Sequence, residues 1–299
     1  NARTVISSIN FVFMIVYFKY NYLYKVNEKQ AKIIFIAMKY VKLILLFAIM
    51  QFLSCKQIDS DEIVGESQQS STYSETSAFD FLPTSTSKDV YSNDAYTFSY
   101  KEEYEQSEWV AYELTKSDMP RADYKRPYFN QDKMVKTKSA DWRNFKNTDY
   151  NKGHLCPAAD RKSSYEMYEM TFLTSNASPQ LYDFNAGIWN RLEQKIRYWA
   201  ERYDGVYVVT GGVLEKGLKT IGSEDVAVPN YFYKVILTKD KKNMIGFLMP
   251  HKSSNQPLYS FVVPVDEIEK MTGIDFFSAL PDTIEEELEA NKGYKNWKF

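Results

Sequence analysis

The sequence has only two cysteines and two histidines among its 299 residues. The cysteines, Cys55 and Cys156, are too few for a framework of several disulfides or for a cysteine-rich zinc site. Neither sign of charge is in excess, because 37 Lys and Arg face 39 Asp and Glu, which excludes a histone-like basic polymer and an acidic disordered tail. Hydrophobic residues make up 44% of the chain and aromatic residues 16%, so we expect a sizeable folded core.

The N-terminal part of the chain differs in composition from the rest. Residues 1–55 carry seven basic side chains against Glu28 alone and are otherwise strongly apolar. Within them, Met38 opens a short basic stretch, an uncharged run follows from Leu43 to Leu53, and Cys55 comes after one small residue. That run has the size of a signal-peptide core and is too short to span a bilayer as a helix.

This arrangement resembles a bacterial lipoprotein signal, in which the cysteine carries the lipid. We expect residues 38–55 to be the signal, with Cys55 as the lipidation site, and residues 1–37 to be translated upstream sequence or an N-terminal extension. Residues 56–94 are acidic and rich in Ser, Thr and Gln, which predicts a flexible polar linker. The resemblance implies an exported protein that is tethered to the cell envelope, periplasmic or outer-membrane, or secreted. A transmembrane anchor that includes Val5–Phe18 is the alternative.

Residues 95–299 are expected to form the folded domain, whose net charge is close to zero. Runs of β-branched and aromatic residues predict strands, and apolar residues at helical spacing predict helices. The predicted strands are Trp109–Leu114, Gly205–Thr210, and a hairpin of Tyr231–Leu237 with Met244–Met249; the predicted helices are Gly187–Tyr203 and one from Asp266 to a stop at Gly273. Strands and helices do not alternate regularly, so the predicted class is α+β.

The two histidines are the candidates for proton transfer, because histidine ordinarily exchanges a proton near neutral pH. A glycine precedes His154 and Pro157 follows it, which predicts a constrained bend suited to presenting a side chain. His251 follows Pro250 near a strand end, and we interpret it as a surface loop histidine. His154 is therefore the candidate catalytic residue, with a structural role as the alternative.

The residues after His154 complete a pattern. A strand ending at His154, a second strand near Phe172 and a helix beginning near Asn185 predict a β-β-α unit. The motifs are Lys152-Gly153-His154 with Pro157, Ser175-Asn176 with Pro179-Gln180, and Asn185 with Gly187, Trp189, Leu192 and Glu193. They resemble the DNA/RNA non-specific endonucleases, the ββα-metal or His-Me finger group that includes secreted bacterial nucleases and mitochondrial endonuclease G. The resemblance covers roughly residues 95–290.

The resemblance implies a His-Me finger fold with a central antiparallel sheet flanked by helices. It also implies a sugar-non-specific endonuclease that hydrolyses phosphodiester bonds of DNA and RNA and leaves 5'-phosphate ends. By resemblance, His154 is the general base and Asn185 is the protein ligand of Mg2+, for which Mn2+ can substitute. Arg126 corresponds to a phosphate-clamping arginine, with Arg121 as its competitor. Asn176 corresponds to a residue that braces the site, with turn capping as the alternative.

Glu193 lies eight residues after Asn185, which is about 80 degrees around a continuous helix. Both side chains can then face one site, and the resemblance implies that Glu193 accepts a hydrogen bond from metal-bound water. The alternative is an exposed Glu193 that pairs with Arg197 one turn later.

Two positions depart from the Asp-Arg-Gly-His motif that is frequent in the family. Asn151 replaces the acid, and Lys152 replaces the arginine, so a point charge stands where a bidentate guanidinium would be. Lys152 can still contact phosphate. The alternative function is therefore a membrane-tethered nucleic-acid-binding lipoprotein that keeps the nuclease fold and has little turnover. We interpret Cys156 as a small core residue.

Basic side chains crowd the region of the motif although the domain is nearly neutral. They are Lys125, Arg126, Lys133, Lys136, Lys138, Arg143, Lys146, Lys152, Arg161 and Lys162. We expect them to contact the backbone phosphates of DNA and RNA rather than base edges, with a solvated lysine-rich face as the alternative. A homodimer is compatible with the sequence, which does not decide the oligomeric state.

Overall fold

The structure is a computed structural model, and it describes residues 79–299. The predicted upstream segment 1–37, the predicted signal 38–55 with Cys55, and most of the predicted linker lie outside the described residues. Between residues 79 and 299, no helix is long and apolar enough to cross a membrane.

The described chain alternates irregularly between strands and helices. The strands are β1 (Val90–Ser92), β2 (Thr97–Lys101), β3 (Gln106–Leu114), β4 (Tyr150–His154), β5 (Ala177–Leu181), β6 (Val206–Gly212), β7 (Thr220–Ile221), β8 (Val226–Ala227), β9 (Tyr231–Thr238), β10 (Met244–Pro250) and β11 (Val262–Val263). The α-helices are α1 (Tyr165–Met170), α2 (Asn190–Arg202), α3 (Val265–Thr272) and α4 (Asp282–Ala290).

A seven-stranded antiparallel sheet forms the centre of the domain, in the order β1-β2-β3-β6-β9-β10-β11. The predicted hairpin is present, because β9 pairs with β10 from Tyr231↔Pro250 to Leu237↔Met244. The predicted strands that begin at Trp109 and Gly205 lie within or overlap β3 and β6.

Both faces of this sheet are buried, which explains why its strands read as nearly continuous apolar runs. Successive side chains of a strand point to opposite faces. Val110 accordingly packs in one core with Leu192 and Trp199 of α2, whereas Trp109 packs in a second core with Ile268 of α3. Helix α3 ends at Gly273, whose φ of 70° supplies the left-handed cap that the sequence predicts.

The two strands of the predicted β-β-α unit form a separate hairpin-like ladder, β4 with β5. The first strand ends at His154, as predicted. The second was expected near Phe172, but β5 begins at Ala177. The backbone N–H groups of Phe172 and Leu173 donate to the carbonyls of Glu169 and Met170, so these residues continue the turn that ends α1. Leu173 forms an isolated parallel bridge with Asn130 and does not belong to a strand of a sheet.

The predicted helix from Gly187 begins later, at Asn190. Phe184–Trp189 form a wide π turn, and Gly187 interrupts it with φ −96° and ψ −107°, outside helical values. The eight-residue helical spacing between Asn185 and Glu193 therefore does not apply, because Asn185 lies before the break and Glu193 lies after it.

The folded domain begins earlier than residue 95, where the predicted linker was expected to end. Residues 90–92 form β1, and the Thr84 backbone N–H donates to Asp275 at 2.9 Å. The buried carboxylate of Glu108 accepts hydrogen bonds from the Thr86 backbone at 2.9 Å and from the Ser85 hydroxyl at 3.3 Å. Ser85 and Thr86, which lie in the segment predicted to be a flexible linker, therefore supply hydrogen bonds to the buried carboxylate of Glu108.

Candidate active site

The β4–β5 ladder holds the backbone around His154. His154 is paired with Ala177, and Gly153 with Ser178. A Cβ atom at position 153 would overlap the side chain of Gln180, which is fully buried. The absence of a side chain at Gly153 therefore lets the two strands approach closely one residue before His154.

The imidazole of His154 lies between two phenylalanine rings. Its centroid is 5.1 Å from that of Phe129 and 4.9 Å from that of Phe172, the latter at 87°. Neither ring nitrogen has a hydrogen bond to any described residue, and Nε2 is buried. Burial, and then the positive charge of Arg126, lower the pKa of His154 to about 3. The ring is therefore neutral at physiological pH and offers an unpaired nitrogen as a proton acceptor.

Two cations flank this imidazole. The Arg126 guanidinium lies 5.4 Å from the Phe172 ring centroid, and the Lys152 ammonium lies 5.5 Å from that of Phe129. Burial and the charge of Arg126 lower the pKa of Lys152. Among residues 79–299, neither cation forms a salt bridge with a carboxylate. The two charges repel each other without a counterion, and a bound anion would relieve that repulsion.

Asn176 fixes the turn that follows His154. Its Oδ1 accepts from the Cys156 backbone N–H at 2.7 Å, and its Nδ2 donates to the carbonyls of Cys156 and Thr171, each at 2.9 Å. Asn176 is fully buried, so these bonds brace the loop from within. Cys156 is itself fully buried, and burial raises the pKa of its thiol to about 12, which makes it a core residue, as predicted, and not a nucleophile.

Asn185 stands in the π turn directly after β5, half-buried. Its side-chain amide has no hydrogen bond to a described residue, so the amide oxygen is free to bind a ligand. An amide oxygen is a donor that Mg2+ accepts, and Mg2+ usually keeps several waters, so one protein ligand is sufficient. The residue therefore suits a hard divalent ion.

Glu193 lies in the first turn of α2, close to buried charged side chains. Burial raises the pKa of Glu193, and the nearby ammonium of Lys234 opposes that rise. The alternative of a pair with Arg197 is wrong, because Arg197 instead donates to the buried Asp160 at 2.8 Å. Tyr112 donates to the other oxygen of Asp160 at 3.0 Å.

Lys234 belongs to this region of the site, although the sequence patterns do not indicate it. It is fully buried, and its ammonium donates to the Leu155 carbonyl at 3.3 Å and to the Thr210 hydroxyl at 3.1 Å, 4.5 Å from the centre of the Trp189 ring. It thus connects the residue after His154 to the π turn that carries Asn185. The signal in the sequence is that Lys234 is the single charged residue inside the otherwise apolar and aromatic run of β9.

His251 is not a surface loop histidine. Its Nε2 accepts from the Leu181 backbone N–H at 2.8 Å, and its Nδ1 contacts the Pro229 carbonyl at 2.9 Å. Leu181 ends β5, four residues before Asn185. His251 therefore fixes a strand end, and burial lowers the pKa of its imidazole.

The predicted site residues fall into three groups in the structure. His154, Arg126 and Lys152 share one aromatic wall; Asn176 supports it from inside; Asn185 and Glu193 lie on either side of the break at Gly187. Asn151 lies on β4 opposite Gln180, half-buried. The competitor Arg121 is exposed and has no described contact at this wall.

Comparison with known proteins gives consistent matches. Residues 75–283 match the family described as DNA/RNA non-specific endonuclease. "Nuclease EXOG, mitochondrial" of Homo sapiens is 33% identical over 225 residues, 69% of this chain and 61% of that protein. The Mus musculus protein of the same name is 30% identical over 251 residues, 77% of this chain and 68% of that protein. This chain spans between 53% and 68% of the EXOG relatives that it matches.

A solved structure agrees with these sequence matches. The "Crystal structure of the EndoG/EndoGI complex: Mechanism of EndoG inhibition" superposes with a TM-score of 0.60 at 30% identity, covering 64% of this chain and 87% of that chain. The α+β fold with a central antiparallel sheet, which the sequence resemblance implies, is confirmed.

The same relatives overturn one prediction. The lipoprotein-like N-terminal pattern predicts an exported protein that is tethered to a bacterial cell envelope or secreted. The EXOG proteins of Homo sapiens and Mus musculus are named mitochondrial, as are other relatives from Schizosaccharomyces pombe and Saccharomyces cerevisiae. The expected location in a bacterial envelope or outside the cell is therefore wrong. A lipoprotein-like pattern of a short apolar run and a cysteine is brief enough to occur without that function.

Proposed function

Because this chain belongs to the DNA/RNA non-specific endonuclease family, we propose that it is a divalent-metal-dependent endonuclease that hydrolyses phosphodiester bonds of DNA and RNA. In this proposal the metal is Mg2+, His154 is the general base and the products carry 5'-phosphate ends. The observation that carries it is the neutral imidazole of His154 beside two cations, Arg126 and Lys152, that have no counterion among the described residues.

The two cations are placed to hold the phosphate. A phosphodiester carries one negative charge, and contacts to it read no base sequence. Arg126 can donate two parallel hydrogen bonds to phosphate oxygens, and Lys152 adds a point charge. A substrate held through its backbone in this way can be DNA or RNA.

His154 acts on the attacking water. Its free nitrogen takes a proton from the water as the water oxygen bonds to phosphorus, and the bond from phosphorus to the 3'-oxygen breaks. The negative phosphate offsets the charge of Arg126, so substrate binding raises the pKa of His154 and makes it a stronger base. Asn176 keeps the ring in position through the turn that follows it.

Asn185 would hold the metal, and Glu193 would orient water on it. When bound, a divalent ion supplies neutralisation of the phosphate and stabilisation of the departing oxygen. The charge of Lys234 acts on the Glu193 carboxyl group, and the Lys234 ammonium itself lies 4.5 Å from the ring centre of Trp189, which ends the π turn.

Digestion of supercoiled plasmid and of RNA by the full chain tests this function. We expect cutting of both with Mg2+ or Mn2+, none with EDTA, and 5'-phosphate ends that accept ligation to a 3'-hydroxyl without kinase treatment. Asn185→Ala should abolish cutting, whereas the control Arg121→Ala should retain it. Binding of both nucleic acids without cutting in the unmodified chain would instead support the alternative, a nucleic-acid-binding protein with little turnover.

A further inference from the structure

Five carboxyl groups meet between α3 and α4, on elements that contribute nothing to the site around His154. They belong to Asp266 and Glu269 of α3, Asp275 of the following loop, and Glu285 and Glu289 of α4; we call them the α3–α4 acid cluster. Carboxylate oxygens of Asp266, Glu269 and Glu289 lie within 4.8 Å of one another. So do those of Asp275, Glu285 and Glu289, and Glu289 is therefore shared by both groups.

The cluster lacks the positive charge that normally accompanies buried carboxylates. In the described part of the chain, no lysine or arginine forms a salt bridge with any of its five members. Burial, and then the neighbouring Glu269, raise the pKa of Glu289 to about 9; burial and Asp275 raise that of Glu285 to about 7. The protein by itself thus leaves these groups in an unfavourable environment.

A second observation concerns individual oxygen atoms. Glu289 is only 6% exposed, and its Oε1 is buried without a hydrogen-bond partner among the described residues. Oε1 of Glu285 is also buried and has no hydrogen-bond partner among the described residues. Glu269 differs, because its Oε1 already accepts from the Phe276 backbone N–H at 2.8 Å. A buried oxygen without a partner is costly, and a cation bound by both carboxyl groups would offset that cost.

We propose that Asp275, Glu285 and Glu289 bind a calcium ion, with Asp266 and Glu269 adding negative charge beside it. The three ligands are graded in exposure: Asp275 is exposed, Glu285 half-buried and Glu289 buried. An ion can therefore enter from solvent past Asp275 and come to rest on Glu289.

The chemistry of the ligand atoms in the cluster determines which metal ions it favours. All are carboxylate oxygens, which hard cations prefer, and no histidine or cysteine of the kind that zinc favours belongs to either group. Ca2+ accepts about six to eight oxygen ligands in flexible geometry, so carboxylates from one helix and a neighbouring loop can serve it together with water. Mg2+ demands nearly ideal octahedral geometry and loses its water reluctantly, so the same set of three carboxylates suits it less.

Bound calcium would connect α4 to the loop after α3. It would stabilise the C-terminal end of the fold and take no part in cleavage, for which Asn185 is the proposed ligand. The two metal sites are therefore separable by mutation.

Calorimetric titration of the full chain with CaCl2 tests the site, in an Asn185→Ala background that removes the proposed catalytic ligand. We expect one calcium ion per chain, and binding at least about tenfold weaker in Glu289→Gln and in Glu285→Gln, because affinity follows the ligand charge. Glu287→Gln is the matched control, since Glu287 is exposed on the same helix, and its binding should not change.

Thermal unfolding separates loss of binding from loss of folding. Without calcium at neutral pH, Glu289→Gln should unfold at nearly the same temperature as the parent, because a carboxyl group with a pKa of about 9 is already uncharged there and glutamine is its neutral isostere. With calcium the parent should gain stability and the variant should not. No heat in the parent, equal heat with MgCl2, or undiminished binding in Glu289→Gln would each overturn the proposal, whether or not the chain cleaves nucleic acid.

Discussion

At the scale of single residues, His154 depends on its neighbours for its protonation state. Burial favours the neutral ring, and Arg126 adds to that effect by charge repulsion. The scarcity of histidine made His154 the candidate base in the sequence, because only two histidines exist. It could not predict the low pKa, since Phe129 and Phe172 approach the ring from distant parts of the chain.

The pKa of His154 is therefore a direct test of this environment. Removing a positive charge by Arg126→Gln should raise the pKa of His154, although not to its ordinary value, because burial is the larger cause. With only two histidines, carbon-proton NMR titration resolves both, and His154→Ala assigns the signals. An unchanged His154 titration in Arg126→Gln would show that the guanidinium does not lie near the ring.

The lowered pKa of His154 also determines how the stability of the fold changes with pH. The folded pKa of His154 lies near 3, below its unfolded value, so the folded state binds fewer protons. The stability that His154 contributes is present above pH of roughly 6.5 and is lost as the pH falls toward 3. Denaturant unfolding at pH 7 and pH 4.5 should show a smaller loss in His154→Ala than in the unmodified chain, and an equal loss would contradict this assignment.

At the scale of elements, the β4–β5 ladder depends on the contact of Gly153 with Gln180. Gly153→Ala should destabilise the fold by about 1–3 kcal/mol, the usual cost of overpacking. Gln180→Ala in addition should recover part of that loss, because it removes the overlapping atoms. Urea unfolding of the two single variants and the double variant measures the coupling, and strictly additive losses would mean that the two residues do not meet.

Elements with strong local patterns could be predicted from the sequence. The strands around Trp109, Val208, Tyr233 and Phe247 were found because both faces of the sheet are buried. Phe172 was misassigned to a strand because its apolar character serves the wall around His154 instead. The helix start was misplaced because periodicity alone does not show that Gly187 interrupts the turn.

The buried charge of Lys234 could not be predicted in the same way. Its hydrogen-bond acceptors lie 79 and 24 residues away along the chain. Only the assembled fold brings Leu155 and Thr210 to β9, and a lone lysine in an apolar run does not reveal its partners.

At the scale of the whole molecule, the domain includes residues that composition assigned to a linker. A chain shortened to residues 79–299 should fold, whereas one shortened to 95–299 should be less stable or aggregate. The second loses β1 and the groups that donate to the buried Glu108. Circular dichroism with thermal unfolding compares the two, and equal unfolding temperatures would show that residues 79–94 contribute little.

Single-turnover cleavage of plasmid DNA by the full chain and its His154→Ala variant tests the central claim most directly. Loss of a general base should slow cleavage by about 10²–10⁴-fold. DNA binding should change little, because Arg126 and Lys152 remain. A variant that binds and cleaves at the rate of the unmodified chain would contradict the account, because no base would then act at the position where the fold presents His154.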